Sequence, residues 1–206
     1  MTSESTAVEH TNEHRLLSKA FRLEYLTITW NAVEAIVAVW AGITAGSIAL
    51  VGFGLDSVIE VFAATVVVWE LRGVGEERER RALRLIAVSF FVLATYVTAE
   101  AVRDLIVGSE AGESTVGIGL AAVSLVVMPV LALGKRRVGR AMNSRTLIAD
   151  STETLLCSYL SAVLLVGLVL NATVGWWWAD PLAAMGIAFL AAREGLEAWR
   201  GEDDEV

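Results

Sequence analysis

Two acidic residues stand four positions apart inside a strongly apolar stretch, GFGLDSVIEV. Asp56 and Glu60 therefore lie about one helical turn apart on the same face of a helix. In a lipid bilayer each of these charges costs about 2.5–3.5 kcal/mol on insertion scales. An ionisable pair inside a membrane helix indicates a functional site, and the question is what the pair binds.

A second pair with the same spacing occurs in TLIADSTETLLCSYL, where Glu153 and Cys157 share a helical face. Both pairs reach a similar depth if the two helices run in opposite directions. Carboxylates and thiolates are ligands of divalent metals, and two such pairs could surround one ion tetrahedrally. Without metal, buried carboxylates tend to take up protons, so metal binding releases protons. The four residues predict a site that exchanges metal for protons.

Three further polar residues lie in or beside the same apolar stretches. Glu34 has either a function, as a part of the site or as a proton relay, or a structural role, and the sequence favours neither. Asn31, one turn earlier, is expected to form a structural hydrogen bond or to assist the site. Asp150 lies nearer the end of its stretch. Its role is either that of a helix cap or that of a ligand on the path by which the metal enters.

The composition and the apolar stretches predict an all-α integral membrane protein. Of the 206 residues 55% are hydrophobic, the mean hydropathy is +0.59, and a soluble domain is usually about 45–50% apolar. Six stretches are long enough, at about 20 residues, to cross a bilayer as helices. The expected spans are 21–41, 47–69, 83–107, 116–134, 146–171 and 181–198.

The positive residues predict the orientation. Lys and Arg concentrate before the first span, after the second and fourth spans, and near the end of the sixth, with Arg103 as the exception. The loops on the other side contain neither Lys nor Arg. By the positive-inside rule both termini are then cytoplasmic.

The expected organisation is one membrane domain between two short tails. Residues 1–20 form a polar cytoplasmic tail without a signal peptide, 21–200 the six-helix domain, and 201–206 a short acidic tail with no cytoplasmic domain after it. Cys157 is the single cysteine, which excludes an internal disulfide. The acidic termini and the lack of organelle signals favour a multi-pass protein of a prokaryotic cell membrane.

Three stretches carry a resemblance to a known family. GSIALVGFGLDSVIEV, LIADSTETLLCS and WWWADPLAAMGIAFLAAREGLEAW resemble the second, fifth and sixth helices of the cation diffusion facilitators. The likeness covers roughly residues 20–200, the transmembrane domain of that family. By position, Asp56 and Glu60 take the second-helix ligand places. Glu153 falls on the fifth-helix histidine, and Cys157 on the fifth-helix aspartate.

The resemblance implies a cation-efflux-type bundle that exports divalent metals in exchange for protons, usually as a homodimer. The family's histidine commonly goes with zinc, and all-carboxylate sites with manganese or iron, whereas a Glu-plus-Cys version matches neither pattern. Cysteine favours zinc, cobalt or cadmium, and three carboxylates favour harder ions. Zinc is therefore the first expectation among Zn, Mn, Fe, Co and Cd. The partners expected are the lipid bilayer, the metal ion and protons, with no nucleic acid and no resident cofactor.

Two functions of different class follow from these features. The first is a divalent metal transporter that exports metal by proton antiport through a midplane carboxylate site. The alternative is a non-transporting membrane protein, metal-binding or accessory, that retains a degenerate site. An enzyme is not expected, because the spans contain no histidine and no catalytic pattern of an intramembrane hydrolase. A metal-free, proton-coupled carrier of organic solutes also stays open.

Overall fold

A computed structural model describes residues 2–72, 76–108 and 111–203. The regular structure within these residues is entirely α-helical, as the composition predicted. The helices are α1 (Thr2–Ala45), α2 (Ile48–Glu70), α3 (Glu76–Val107), α4 (Thr115–Met142), α5 (Arg145–Val174) and α6 (Ala179–Asp203).

The helices coincide with the six predicted spans. Among the described residues, four helical segments are long and apolar enough to cross a membrane, which makes the chain a multi-pass membrane protein. These segments are His14–Ala45, Ile48–Trp69, Thr115–Met142 and Asp150–Val174. That α3 and α6 also cross the membrane stays a prediction.

α1 and α4 extend furthest beyond the spans predicted for them. α1 begins at Thr2, so the segment expected as a separate polar tail is helical and continuous with the first span. α4 continues to Met142, so most of the arginine-rich stretch that follows residue 134 is helix rather than loop. Lys and Arg are good helix formers, which explains why charge alone does not end α4.

Short, well-capped turns force neighbouring helices to run in opposite directions. Between α4 and α5, Asn143 adopts a left-handed conformation with φ 52°, and Ser144 Oγ accepts a hydrogen bond from Leu147 N at 3.3 Å. An αL residue after one helix and a serine N-cap before the next satisfy the free backbone groups at both ends. This turn places the end of α4 beside the start of α5.

Contacts between helix termini distinguish the two ends of the bundle. Ser47 Oγ, just before α2, donates to Asp180 Oδ1 at the start of α6 at 2.5 Å. Gly112 N, before α4, donates to Ala45 O, the last residue of α1, at 2.7 Å. The starts of α2, α4 and α6 therefore lie at one end, called here the Asp180 end. The opposite end is called the Lys135 end.

Glycines bring α1 and α2 into close contact beside the acidic pair. A Cβ atom on Gly54 would lie 2.9 Å from Val39 N, and one on Gly42 would lie 2.7 Å from Val51 N. Contacts this short with backbone atoms leave room for glycine only, unless the helices move apart. Small residues at such positions are typical of close helix packing in membranes. This packing holds the polar residues of α1 against the acidic pair of α2.

Candidate metal site

Three of the four residues predicted as metal ligands come together between α2 and α5. One ligand atom each of Asp56, Glu60 and Cys157 lies within 4.8 Å of the others. The three residues are 2%, 8% and 1% exposed. α2 has 23 residues and is therefore about 35 Å long, with Asp56 about 12 Å from its start. The group is thus enclosed in protein near the middle of the bundle.

Glu153, the fourth predicted ligand, lies outside this group. It is half-buried and sits one turn from Cys157 toward the Lys135 end of α5. It interacts electrostatically with the carboxylates of Asp150, Glu194 and Asp56. Glu153 therefore lies beside the group, on the side of the Lys135 end. That it binds the metal ion stays a prediction.

Asn31 of α1 holds one of the two α2 carboxylates. Its Nδ2 donates a hydrogen bond to Glu60 Oε2 at 2.6 Å, and both side chains are buried. Asn31 Oδ1 has no hydrogen-bond partner among the residues that the structure describes. The amide therefore orients the Glu60 carboxylate, and it also offers a free oxygen close to the three-residue group.

Glu34 forms a second polar contact between α1, α2 and α4. Its carboxylate accepts hydrogen bonds from Ser57 Oγ at 3.2 Å and from Ser124 Oγ. Trp30 Nε1 in turn donates to Ser124 Oγ at 3.1 Å. Glu34 is fully buried, and Ser57 follows Asp56 directly in the chain. The two serines and the tryptophan were not singled out from the sequence, because isolated serines in apolar helices have no distinctive spacing.

The acidic pair cannot easily carry two charges in this environment. At a separation of at most 4.8 Å and an effective dielectric constant of about 20, two unit charges repel by at least about 3.5 kcal/mol. A divalent cation between the ligand atoms removes this repulsion, and so does a proton on one carboxylate. Chemically, the group can alternate between a metal-bound and a protonated form.

A buried ion triad lies further toward the Lys135 end, and the sequence prediction missed it. Lys135 was counted among the positive loop residues, yet the structure buries it completely. Its Nζ lies 2.5 Å from Asp150 Oδ2 and 3.1 Å from Glu24 Oε2. Asp150, predicted as a cap or an access-path ligand, is thus an ion-pair partner in this state. The available signal was the position of Lys135 directly after the apolar run VLALG.

Comparison with known proteins gives one family and several relatives. The profile described as the cation efflux transmembrane domain matches residues 84–200, more than half of the chain. The match includes the region of Glu153 and Cys157, and the acidic pair of α2 precedes it.

The relatives extend the similarity to the N-terminal helices. Magnetosome protein MamB of Magnetospira sp. (strain QH-2) is 27% identical over 167 residues, which are 76% of this chain and 57% of that protein. Cation-efflux pump FieF of Salmonella typhi is 26% identical over 180 residues, 79% of this chain and 59% of that protein. Transmembrane protein 163 of Xenopus laevis is 22% identical over 198 residues, 94% and 70% of the two chains. The chain therefore spans little more than half the length of MamB and FieF.

Proposed function

The chain belongs to the cation efflux family, and from that premise we propose that it carries divalent metal ions across the membrane in exchange for protons. The observation that carries this proposal is the convergence of Asp56, Glu60 and Cys157 on one buried point. Ionisable groups are costly there, and a transported cation is the ligand that best explains their presence. The positive-inside prediction makes the Lys135 end cytoplasmic, so an ion that enters from that end is exported.

In the proposed cycle the metal reaches the group from the Lys135 end. Asp56, Glu60 and Cys157 supply three ligand atoms, and Glu153 closes the site as the fourth. Glu153 meets the ion first, since it lies one turn nearer the Lys135 end than Cys157. Release follows at the Asp180 end after the helices around the midplane site rearrange, as in alternating access.

Protons return through the same residues. Once the ion has left, the repulsion between the Asp56 and Glu60 carboxylates favours the binding of a proton. Glu34 is placed to pass protons to this pair, because the hydroxyl it binds belongs to Ser57, the neighbour of Asp56. Asn31 keeps the Glu60 carboxylate oriented during the exchange.

The ligand set favours borderline metals over hard ones. A thiolate selects zinc, cobalt or cadmium, whereas carboxylates alone suit manganese and iron. With one sulfur and up to three carboxylates, we expect zinc first, followed by cobalt and cadmium. As the family resemblance implies, the transporter acts as a homodimer. The acidic termini and the lack of organelle signals favour the cytoplasmic membrane of a prokaryote.

The alternative is a membrane protein that binds metal without transporting it. The position of Glu153, outside the three-residue group, favours this alternative, because an incomplete ligand set can hold an ion without completing a transport cycle. The two functions differ in one observable: both bind metal, and only the transporter moves it across a sealed membrane.

Flux into proteoliposomes separates the two functions. Vesicles containing the protein would be exposed to zinc, cobalt, cadmium, manganese or iron, with intravesicular metal and pH recorded together. The test variant is Asp56→Asn with Glu60→Gln. The matched control is Glu100→Gln, which removes a carboxylate from a partly exposed ion pair near the end of α3. Metal flux with opposite proton movement, lost in the test variant only, supports the exchanger. Binding without flux for every ion supports the alternative.

A further inference from the structure

The ammonium of Lys135 occupies a pocket built from oxygens of two helices. Nζ lies 2.5 Å from Asp150 Oδ2 and 3.3 Å from Thr154 Oγ1 on α5, and 3.1 Å from Glu24 Oε2 on α1. Thr154 Oγ1 donates its proton to Asp150 O at 3.0 Å, which leaves its lone pairs toward the ammonium. Three oxygens thus surround one cation.

With both carboxylates ionised, the charges of this pocket do not balance. Glu24 and Lys135 are fully buried, and Asp150 is 5% exposed, so two carboxylates share a single ammonium. Glu24 Oε1 has no hydrogen-bond partner within the described part of the chain, and Oε2 has only the ion pair with Nζ at 3.1 Å. A buried charged group that is only partly compensated is unfavourable, so such a triad is poorly explained by stability alone.

A divalent cation would balance the same pocket. Its two charges equal those of Glu24 and Asp150, whereas the ammonium supplies only one. Carboxylate and hydroxyl oxygens are the ligands that hard divalent ions such as Mn²⁺ prefer. Glu24 Oε1, together with Oε2 once the ammonium has left, supplies the ligand atoms that such an ion would take up.

We propose that Glu24, Asp150 and Thr154 form a second cation site, which the ammonium of Lys135 fills in the metal-free protein and which a divalent metal ion occupies by displacing that ammonium. The four-carbon stem of Lys135 allows the displaced ammonium to move toward water at the Lys135 end. The lysine is then a tethered substitute for the metal ion.

The location of this second site suggests its place on the transport path. Asp150 precedes Cys157 by seven residues on α5, a rise of about 10 Å, and Glu153 lies between them. An ion at the second site would therefore pass Glu153 on the way to the three-residue group. This order rests on the proposed function, whereas binding at the second site does not.

The test counts bound Mn²⁺ by electron paramagnetic resonance in protein that lacks the first site. The background carries Asp56→Asn, Glu60→Gln and Cys157→Ser. Adding Lys135→Gln removes the tethered cation, and we expect one Mn²⁺ per chain with at least tenfold higher affinity than in the background. Adding Glu24→Gln to that variant should abolish the gain.

The matched control replaces the sequence's other lysine, Lys19, which is exposed. In the same background Lys19→Gln should leave Mn²⁺ binding unchanged. If Lys135→Gln binds no more Mn²⁺ than Lys19→Gln does, the second site is refuted. Because every variant lacks the first site, a failure of transport in the unmodified protein does not affect this result.

A labelling experiment decides the question if Lys135→Gln does not fold. Lys19→Arg leaves Lys135 as the single lysine of the chain, so acetylation of its amine can be measured by mass spectrometry. In the background without the first site, Mn²⁺ should raise acetylation of Lys135 severalfold, because the ammonium leaves the buried pocket. Glu24→Gln should remove the metal effect. Acetylation that is unchanged by Mn²⁺ would overturn the proposal.

Discussion

Replacing Glu60 by glutamine isolates the contribution of one charge to the metal site. Glutamine has nearly the same shape, and its amide oxygen can still accept the hydrogen bond from Asn31 Nδ2. The substitution therefore removes the charge and leaves the packing between α1 and α2 in place. Any loss of metal binding then reports on the carboxylate itself.

The expected loss follows from the separation of the ligand atoms. A unit charge at most 4.8 Å away interacts with the Glu60 carboxylate by at least about 3.5 kcal/mol at an effective dielectric constant of about 20. A divalent ion has twice the charge and lies nearer to the Glu60 carboxylate, so its attraction is larger. Removing the proton that the carboxylate binds without metal offsets part of this attraction. A hundredfold loss of affinity, about 2.7 kcal/mol, is therefore the least that we expect of Glu60→Gln.

Thermal unfolding in detergent measures this loss through linkage. Metal at 100 times the Kd stabilises the unmodified protein by about 2.7 kcal/mol. At the same concentration, a variant with a hundredfold weaker Kd gains only about 0.4 kcal/mol. Without metal, Glu60→Gln should be as stable as the unmodified protein or more stable, since the repulsion with Asp56 is gone.

Glu100→Gln is the control for this experiment, because it removes a carboxylate near the end of α3. It should keep the full metal-dependent shift. A Glu60→Gln variant that also keeps the full shift would refute the reasoning, since the carboxylate would then contribute nothing to metal binding.

Three further substitutions have definite expected outcomes. Cys157→Ser should weaken zinc and cadmium binding at least tenfold and leave manganese binding nearly unchanged, as competition titrations would reveal; equal losses for all ions would exclude a sulfur ligand. Gly54→Ala places a Cβ 2.9 Å from Val39 N and should lower the free energy of unfolding by roughly 1–3 kcal/mol, with an unchanged midpoint contradicting the packing. Asp180→Ala removes the acceptor of the Ser47 hydroxyl and should lower the free energy of unfolding by about 1–3 kcal/mol. A loss below about 0.5 kcal/mol, the usual effect of a surface substitution, would contradict this role.

Much of the fold was predictable because the lipid bilayer imposes simple rules. An apolar stretch of about 20 residues has few alternatives to a helix, so six stretches predicted six helices. The ends were harder, because charged residues can extend a helix into water. Arg136 and Arg137 illustrate this, because both are exposed and continue α4 instead of starting a loop.

The site was predictable where local spacing decides geometry and not where packing does. Asp56 and Glu60 share a face because four residues make about one turn. Glu153 and Cys157 share a face for the same reason, yet the packing of α5 against α2 brings only Cys157 within the group. This packing depends on contacts between helices, which spacing within α5 does not encode.

Pairs of residues far apart in the sequence were beyond prediction for a similar reason. Glu24 and Lys135 are joined by the packing of α1 against α4, and neither residue has a local pattern that identifies its partner. The hydrogen bond between Asn31 and Glu60 was anticipated only as a structural bond without a partner. Tertiary contacts of this kind require the structure.

X-ray absorption at the metal edge, on protein with one bound zinc ion, tests the central claim most directly. If Asp56, Glu60 and Cys157 bind the same ion, the spectrum will contain one sulfur at about 2.3 Å together with oxygens at about 2.0–2.2 Å. The sulfur contribution will disappear in Cys157→Ser, and zinc binding itself will be lost in Asp56→Asn with Glu60→Gln. A shell of oxygen and nitrogen alone, unchanged by these substitutions, would contradict the claim and place the metal elsewhere in the protein.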